Sequence, residues 1–221
     1  MSGPAQSQDT PAASAGREAK REAILEAARK VFMEVGFGAA SMDAIANEAK
    51  VSKQTVYNHF GSKEELFAAM IRYWVDQKLV VMGEAAKQVK PEDTLRAMAH
   101  QFLDHGSAEQ RVAMYRILMA ESPRFPELGD IFYAAGPAVV RKFVADYLAE
   151  QHKRGTLHVE NPQLTAEQFF GMLNGCQLKA QLGIERLPNK QAIDAYIDHA
   201  VMLMMRALAP GGQRRGPPPS S

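Results

Sequence analysis

An all-α fold is predicted for this chain on three observations. Apolar residues recur at helical spacing between residues 17 and 209. Side-chain caps and prolines precede those stripes, and no segment sustains the period-two alternation of a strand. The first helix carries Ile24, Ala28, Val31, Phe32 and Val35 on one face. Ser41 is placed to cap a second helix, with Ile45, Ala46 and Ala49 as its apolar face. Ser52 is placed to cap a third, with Val56 and Phe60 one turn apart. A serine hydroxyl there accepts an N–H of the first turn that has no partner within the helix.

The pattern continues to the end of the chain. Ser62-Lys63-Glu64-Glu65 reads as a capping box for a fourth helix running through Trp74 towards Met82. Pro91 opens a fifth. Ser107 with Gln110 opens a sixth, which ends near Glu121-Ser122-Pro123. Pro126 begins a long seventh segment that Gly155 stops. Thr165-Ala166-Glu167-Gln168 reads as the capping box of an eighth helix. Asn189 caps a ninth, with Ile193, Tyr196, Ile197, Ala200, Val201 and Met204 in one stripe. Residues 1–16 and 210–221 are rich in small, polar and proline residues and are expected to be disordered arms.

Composition limits the function classes. With 221 residues the chain has room for a small unit on a larger one. A net charge of +1 gives no global basic character, so any nucleic-acid argument must be local. The single cysteine, Cys176, excludes an internal disulfide and fits a reducing cytoplasm. No apolar run approaches a membrane span, and the N-terminus lacks the apolar core of a signal peptide. The six histidines show no His-Glu-x-x-His pattern, and no cysteine pair could hold zinc, so no metal or cofactor is expected. Nothing in the chain forms a catalytic constellation.

Residues 41–63 carry the functional signal. Two short amphipathic segments flank a tight turn at Ala49-Lys50-Val51, the pattern of a helix-turn-helix, whose second helix enters a major groove. No Asp or Glu occurs from Val51 to Lys63, whereas Lys53, His59 and Lys63 lie there. Ser41, Ser52, Thr55, Tyr57, Asn58, His59 and Lys63 suit phosphate contacts. Gln54 suits an adenine edge and Lys53 a guanine. Arg17, Lys20 and Arg21 fit either a DNA-contacting arm or a solvated helix start balanced by Glu18 and Glu22.

These residues resemble the DNA-binding domain of the TetR family of bacterial transcription regulators. The likeness rests on Phe32, Gly36-Phe37, Ser41, Ile45-Ala46, Val51-Ser52, Val56-Tyr57-Asn58-His59-Phe60 and Lys63-Glu64-Glu65-Leu66. One position departs from it: the family usually has Gly where Lys50 stands. The phrase Glu121-Ser122-Pro123-Arg124-Phe125-Pro126-Glu127-Leu128, with Phe132-Tyr133, resembles the AcrR-type and AefR-like branches. The resemblance implies a three-helix DNA-binding domain at 17–66 and a six-helix regulatory domain at 67–209.

It further implies a homodimer on a palindromic double-stranded operator, and a cavity for a small effector. Trp74, Phe102, Met114, Leu118, Phe132, Phe169, Met172 and Cys176 are the candidate lining, and they suit a small, mostly apolar effector. Glu121 would favour a cationic ligand only by pointing inward. Gly171 and Gly175, four apart, with Ile197, Val201 and Met204, are the candidate dimer interface. The expected function is a ligand-responsive repressor. An activator or ligand-independent regulator on the same scaffold stays open, as does, more remotely, an all-α carrier or hydrolase.

Overall fold

A computed structural model describes residues 11–87, 90–103, 108–185 and 188–211. Among the described residues eleven helices follow one another: α1 (Pro11–Ala39), α2 (Met42–Glu48), α3 (Lys53–Phe60), α4 (Lys63–Ala85), α5 (Pro91–Phe102), α6 (Ala108–Glu121), α7 (Glu127–Ala135), α8 (Pro137–Lys153), α9 (Pro162–Gly175), α10 (Leu178–Gln181) and α11 (Lys190–Ala207). The described residues contain no strand. The all-α expectation holds.

Side-chain caps set the starts. The hydroxyl oxygens of Ser41, Ser52 and Ser62 each accept the N–H three residues on, at 3.1 Å. Asn189 Oδ1 accepts from the N–H of Ala192 at 2.9 Å. Each such cap is worth about 1 kcal/mol.

Some limits differ from expectation. α1 begins at Pro11, so residues 11–16, expected within a disordered arm, are helical. Proline suits a first helical position and alanine is the strongest helix former, a local preference that composition hides. The long segment from Pro126 to Gly155 is two helices. Gly136 (φ −125°, ψ −84°) leaves the helical region, and Pro137 opens α8 because it has no N–H to give to α7. The helix expected from Thr165 starts at Pro162, with Asn161 as its cap at 3.0 Å. Thr165 donates its hydroxyl back to the Asn161 carbonyl at 2.7 Å. The short α10 has no counterpart in the sequence pattern. Residues 1–10 and 212–221, and the Ser107 start, lie outside the described residues.

Two apolar cores share α4. Ile24, Phe32, Phe37, Ile45, Val56, Phe60, Leu66 and Phe67 build the first, and α6 and α7 add Leu118, Leu128 and Ala135 to it. The second gathers α5, α8, α9 and α11 about Met98, Val144, Leu148, Phe169 and Phe170, with Met82 from the far end of α4. Val75 packs against both cores. The packing is therefore continuous across residue 66. Phe37 lies inside the first core, with its ring against Phe32, Phe67 and Phe125 at centroid distances of 5.7, 5.5 and 5.5 Å.

Candidate nucleic-acid interface and internal cavity

α2 and α3 meet at a turn that requires a left-handed residue, and Lys50 supplies it with φ 56°. The chain reverses there within a few residues, as Val51 N–H donates to the Ala46 carbonyl at 3.0 Å. Such a conformation costs a non-glycine residue roughly 1–2 kcal/mol. Lys50 is exposed, so its ammonium is presented beside the start of α3.

α3 buries Val56 and Phe60 and exposes Ser52, Lys53, Gln54, Tyr57 and Asn58, with Thr55 and His59 half-buried. These form one surface. Gln54 Nε2 donates to Asn58 Oδ1 at 2.8 Å, and Ser52 and Thr55 share a hydroxyl hydrogen bond of 2.8 Å. The opening of α1 runs beside this helix. A surface cleft of about 400 Å³ is lined by Gly16, Arg17, Lys20, Thr55, Asn58 and His59. The arm residues Arg17 and Lys20 thus extend the basic face of α3.

Two lysines differ from a simple phosphate ladder. Lys53 Nζ donates to Asp43 Oδ2 at 2.9 Å, which raises the lysine's pKa. Both groups are exposed, so the pair opens at little cost. Lys63 is half-buried at the corner after α1. Its ammonium donates to the carbonyls of Phe37 (2.8 Å) and Ala40 (3.1 Å) and sits 4.5 Å from the Phe37 ring centroid. It splints the α1–α2 corner, which leaves one N–H to point elsewhere.

The distal helices and α1 border a partly open cavity of about 220 Å³. Trp74, Phe102, Met114 and Phe132 line it, in line with four of the expected residues. Leu118 and Phe132 line an adjoining open groove of about 430 Å³. Three expected residues line neither. Phe169 is fully buried in the distal core, and Met172 and Cys176 pack against that core. Helical periodicity marks a buried face without saying whether atoms or space lie beyond it. The Cys176 thiol donates to the Leu173 carbonyl at 3.1 Å, and burial pushes its pKa up, away from thiolate.

The cavity has a charged component that the apolar pattern hid. Arg29, Lys78, Arg111 and Arg141 line it, and among the described residues no Asp or Glu does. Arg29 and Met33 come from α1, so one wall belongs to the helix that backs the DNA-reading unit. Glu121 points away, and its carboxylate lies against Gly36 and Gly38. Among the described residues no three His, Cys, Asp or Glu side chains gather to hold a metal.

The expected dimer residues divide. Ile197, Val201 and Met204 are buried within the protomer itself and cannot form a surface between chains. Their stripe is the face by which α11 packs on its own core. Gly171 and Gly175 are exposed. A Cβ on Gly175 would lie 2.9 Å from Tyr196 Oη, so that close approach occurs between α9 and α11 of one chain. Exposed large apolar side chains from α9 to α11 include Leu164, Leu178, Leu182, Tyr196 and Leu203.

A helix-turn-helix unit with a basic, acid-free reading helix, packed on a helical domain and sharing a cavity with it, defines a DNA-binding regulator. Residues 24–70 match the family described as bacterial regulatory proteins of the tetR family, and residues 93–210 match the AefR-like transcriptional repressor C-terminal domain. The chain belongs to the TetR family of transcriptional regulators, which are not enzymes. It is 30% identical over 156 residues to the transcriptional regulator UidR of Escherichia coli K12, covering 70% of this chain and 78% of UidR. It is 38% identical over 89 residues to the transcriptional activator FasR of Mycolicibacterium smegmatis, and there it spans 41% of the relative's length. The flavonoid-responsive regulator FrrA superposes with a TM-score of 0.68 at 33% identity, over 88% of this chain and 99% of FrrA. No helix among the described residues is long and apolar enough to cross a membrane.

Proposed function

We propose that this regulator is a cytoplasmic repressor that binds a palindromic operator as a homodimer and releases it when a small effector fills the internal cavity. The observation that carries the reading is the shared wall. Arg29 and Met33 of α1 line the same cavity as Trp74, Phe102 and Met114, so occupancy changes what α1 packs against. The AefR-like repressor match over residues 93–210 supports the sign of regulation, and the flavonoid response of FrrA supports control by a small organic molecule. FasR, an activator, resembles this chain over 89 residues, so DNA binding by itself is compatible with either sign.

On the DNA, Gln54 and Lys53 read base edges, while Ser41, Ser52, Thr55, Tyr57, Asn58, His59 and one N–H of Lys63 hold phosphates. So few base contacts do not give specific nanomolar binding, and two heads about 34–36 Å apart supply the rest. The dimer face is the exposed apolar stripe of α9, α10 and α11, with Gly171 in its middle. Selection of bound duplexes from a random-sequence pool tests the reading. An inverted repeat with half-sites one turn apart is the expected product, and a single asymmetric site overturns the dimeric mode.

A further inference from the structure

We infer that the cavity takes an amphipathic organic carboxylate, with the anion held by Arg141 and Tyr115 at the mouth and the apolar body lying inward. The inference deepens the proposed function and rests on it only for the consequence at DNA. Four residues, Tyr115, Phe132, Pro137 and Arg141, line both the inner cavity and the outer groove, so they form the passage between the two. The combined space falls within the roughly 300–1,000 Å³ of small-molecule sites.

Arg141 is the group best prepared for an anion. Its guanidinium carbon lies 5.6 Å from the ring centroids of both Tyr133 and Phe170. Ring contacts engage the faces of a guanidinium and leave its N–H edge for a planar carboxylate. No guanidinium N–H of Arg141 finds an acceptor, and no carboxylate pairs with it, among the described residues. Tyr115 packs edge-on to Phe132 at 5.6 Å and offers a hydroxyl donor beside it. Burial raises the Tyr115 pKa, so the hydroxyl keeps its proton at neutral pH, where Arg141 and Arg111 exert the lesser, opposite pull.

The rest of the lining fits the same ligand. Arg29, Lys78 and Arg111 also border the cavity, and among the described residues neither the cavity nor the groove has an acidic side chain in its lining. Arg29 is answered by Glu26 and lies 5.6 Å from the Trp74 ring centroid. Its charge therefore contributes at longer range and its partner is already fixed. Met70, Ile71, Trp74, Phe102 and Val140 supply the apolar interior. A cation would be repelled by Arg141 at the mouth, and a neutral lipophile would give the Arg141 edge no charged acceptor.

The test compares decanoate with decanamide at neutral pH, matched in size and differing in charge. The fluorescence of Trp74, the single tryptophan, reports binding to the full chain. Decanoate is expected to bind at least about tenfold more tightly, the worth of one charge-assisted hydrogen bond pair. Arg141→Gln should abolish that preference with little change for decanamide, and Arg141→Lys should keep most of it. Equal binding of the two probes, binding of neither, or a preference that survives in Arg141→Gln overturns the assignment. Competition with operator DNA separates this from the proposed function. If decanamide displaces DNA as well as decanoate does, the anion assignment falls and the effector reading stands. If decanoate binds through Arg141 and leaves DNA affinity unchanged, the anion site stands and the effector switch falls.

Discussion

A Cβ on Gly38 would lie 2.9 Å from the Glu121 carboxylate and 2.9 Å from the Phe125 ring. The corner between α1 and α2 is thus seated directly on the end of α6. This contact joins the DNA-reading unit to the distal helices, and it involves a rigid ring as well as a flexible carboxylate. Gly38→Ala should overpack it and cost about 1–3 kcal/mol. For a chain of this length that is a fall in Tm of roughly 2–4 °C per kcal/mol. Thermal melts of Gly38→Ala, alone and with Phe125→Leu, check this. Recovery of stability in the double variant is expected, and its absence would place the strain elsewhere.

Lys50 should show opposite effects on stability and on DNA. Replacing it with Gly relieves roughly 1–2 kcal/mol of left-handed strain. Greater freedom in the unfolded chain takes back about 0.4–1 kcal/mol. A small net stabilisation follows, while one exposed cation is lost beside α3. Denaturant melts should move up and the salt dependence of DNA binding should weaken by about one charge. If DNA affinity stays level, Lys50 lies off the phosphate path.

Asp43 is the acid that faces the reading helix, bonded to Lys53 at 2.9 Å. Asp43→Asn removes the carboxylate that holds the Lys53 ammonium and should tighten binding to duplexes of any sequence, most clearly at low salt. A change confined to one base pair of the operator would instead make Asp43 a reader.

Lys63 and Gln54 should separate stability from specificity. Lys63→Ala removes hydrogen bonds from a charged donor to the Phe37 and Ala40 carbonyls, worth about 1.5–3 kcal/mol each when formed. It should lower Tm and weaken all DNA together. Gln54, exposed and bonded to Asn58, has no comparable structural part, so Gln54→Ala should leave Tm unchanged. Its expected effect is a loss of about 1–3 kcal/mol at one base pair. An unchanged melt for Lys63→Ala would remove its role as a splint.

Leu203 tests the assembly. It is 43% exposed on α11, on the face opposite buried Ile197 and Val201. Leu203→Glu should give a monomer in sedimentation and lose operator affinity while keeping its helical content. A dimer of full affinity would move the interface away from α11.

The sequence by itself determined the DNA-reading unit. Its signals are local: Ser41, Ser52 and Ser62 cap helices within three residues of themselves, and Val56 and Phe60 repeat at one turn. The tight turn at Ala49-Lys50-Val51 was legible in the same way, while the glycine usual at position 50 in the resembled family pointed to its special backbone. Tertiary structure alone decided which faces meet. Ile197, Val201 and Met204 read as an apolar stripe, but a stripe does not name its partner, and here the partner is the same chain. Phe169 and Phe102 look alike in sequence, yet one is solid core and the other borders space. The four basic residues of the cavity lie on α1, α4, α6 and α8, far apart in the chain, and only packing brings them around one space. Helix periodicity is a short-range property of the backbone, whereas a cavity is what several helices fail to fill together.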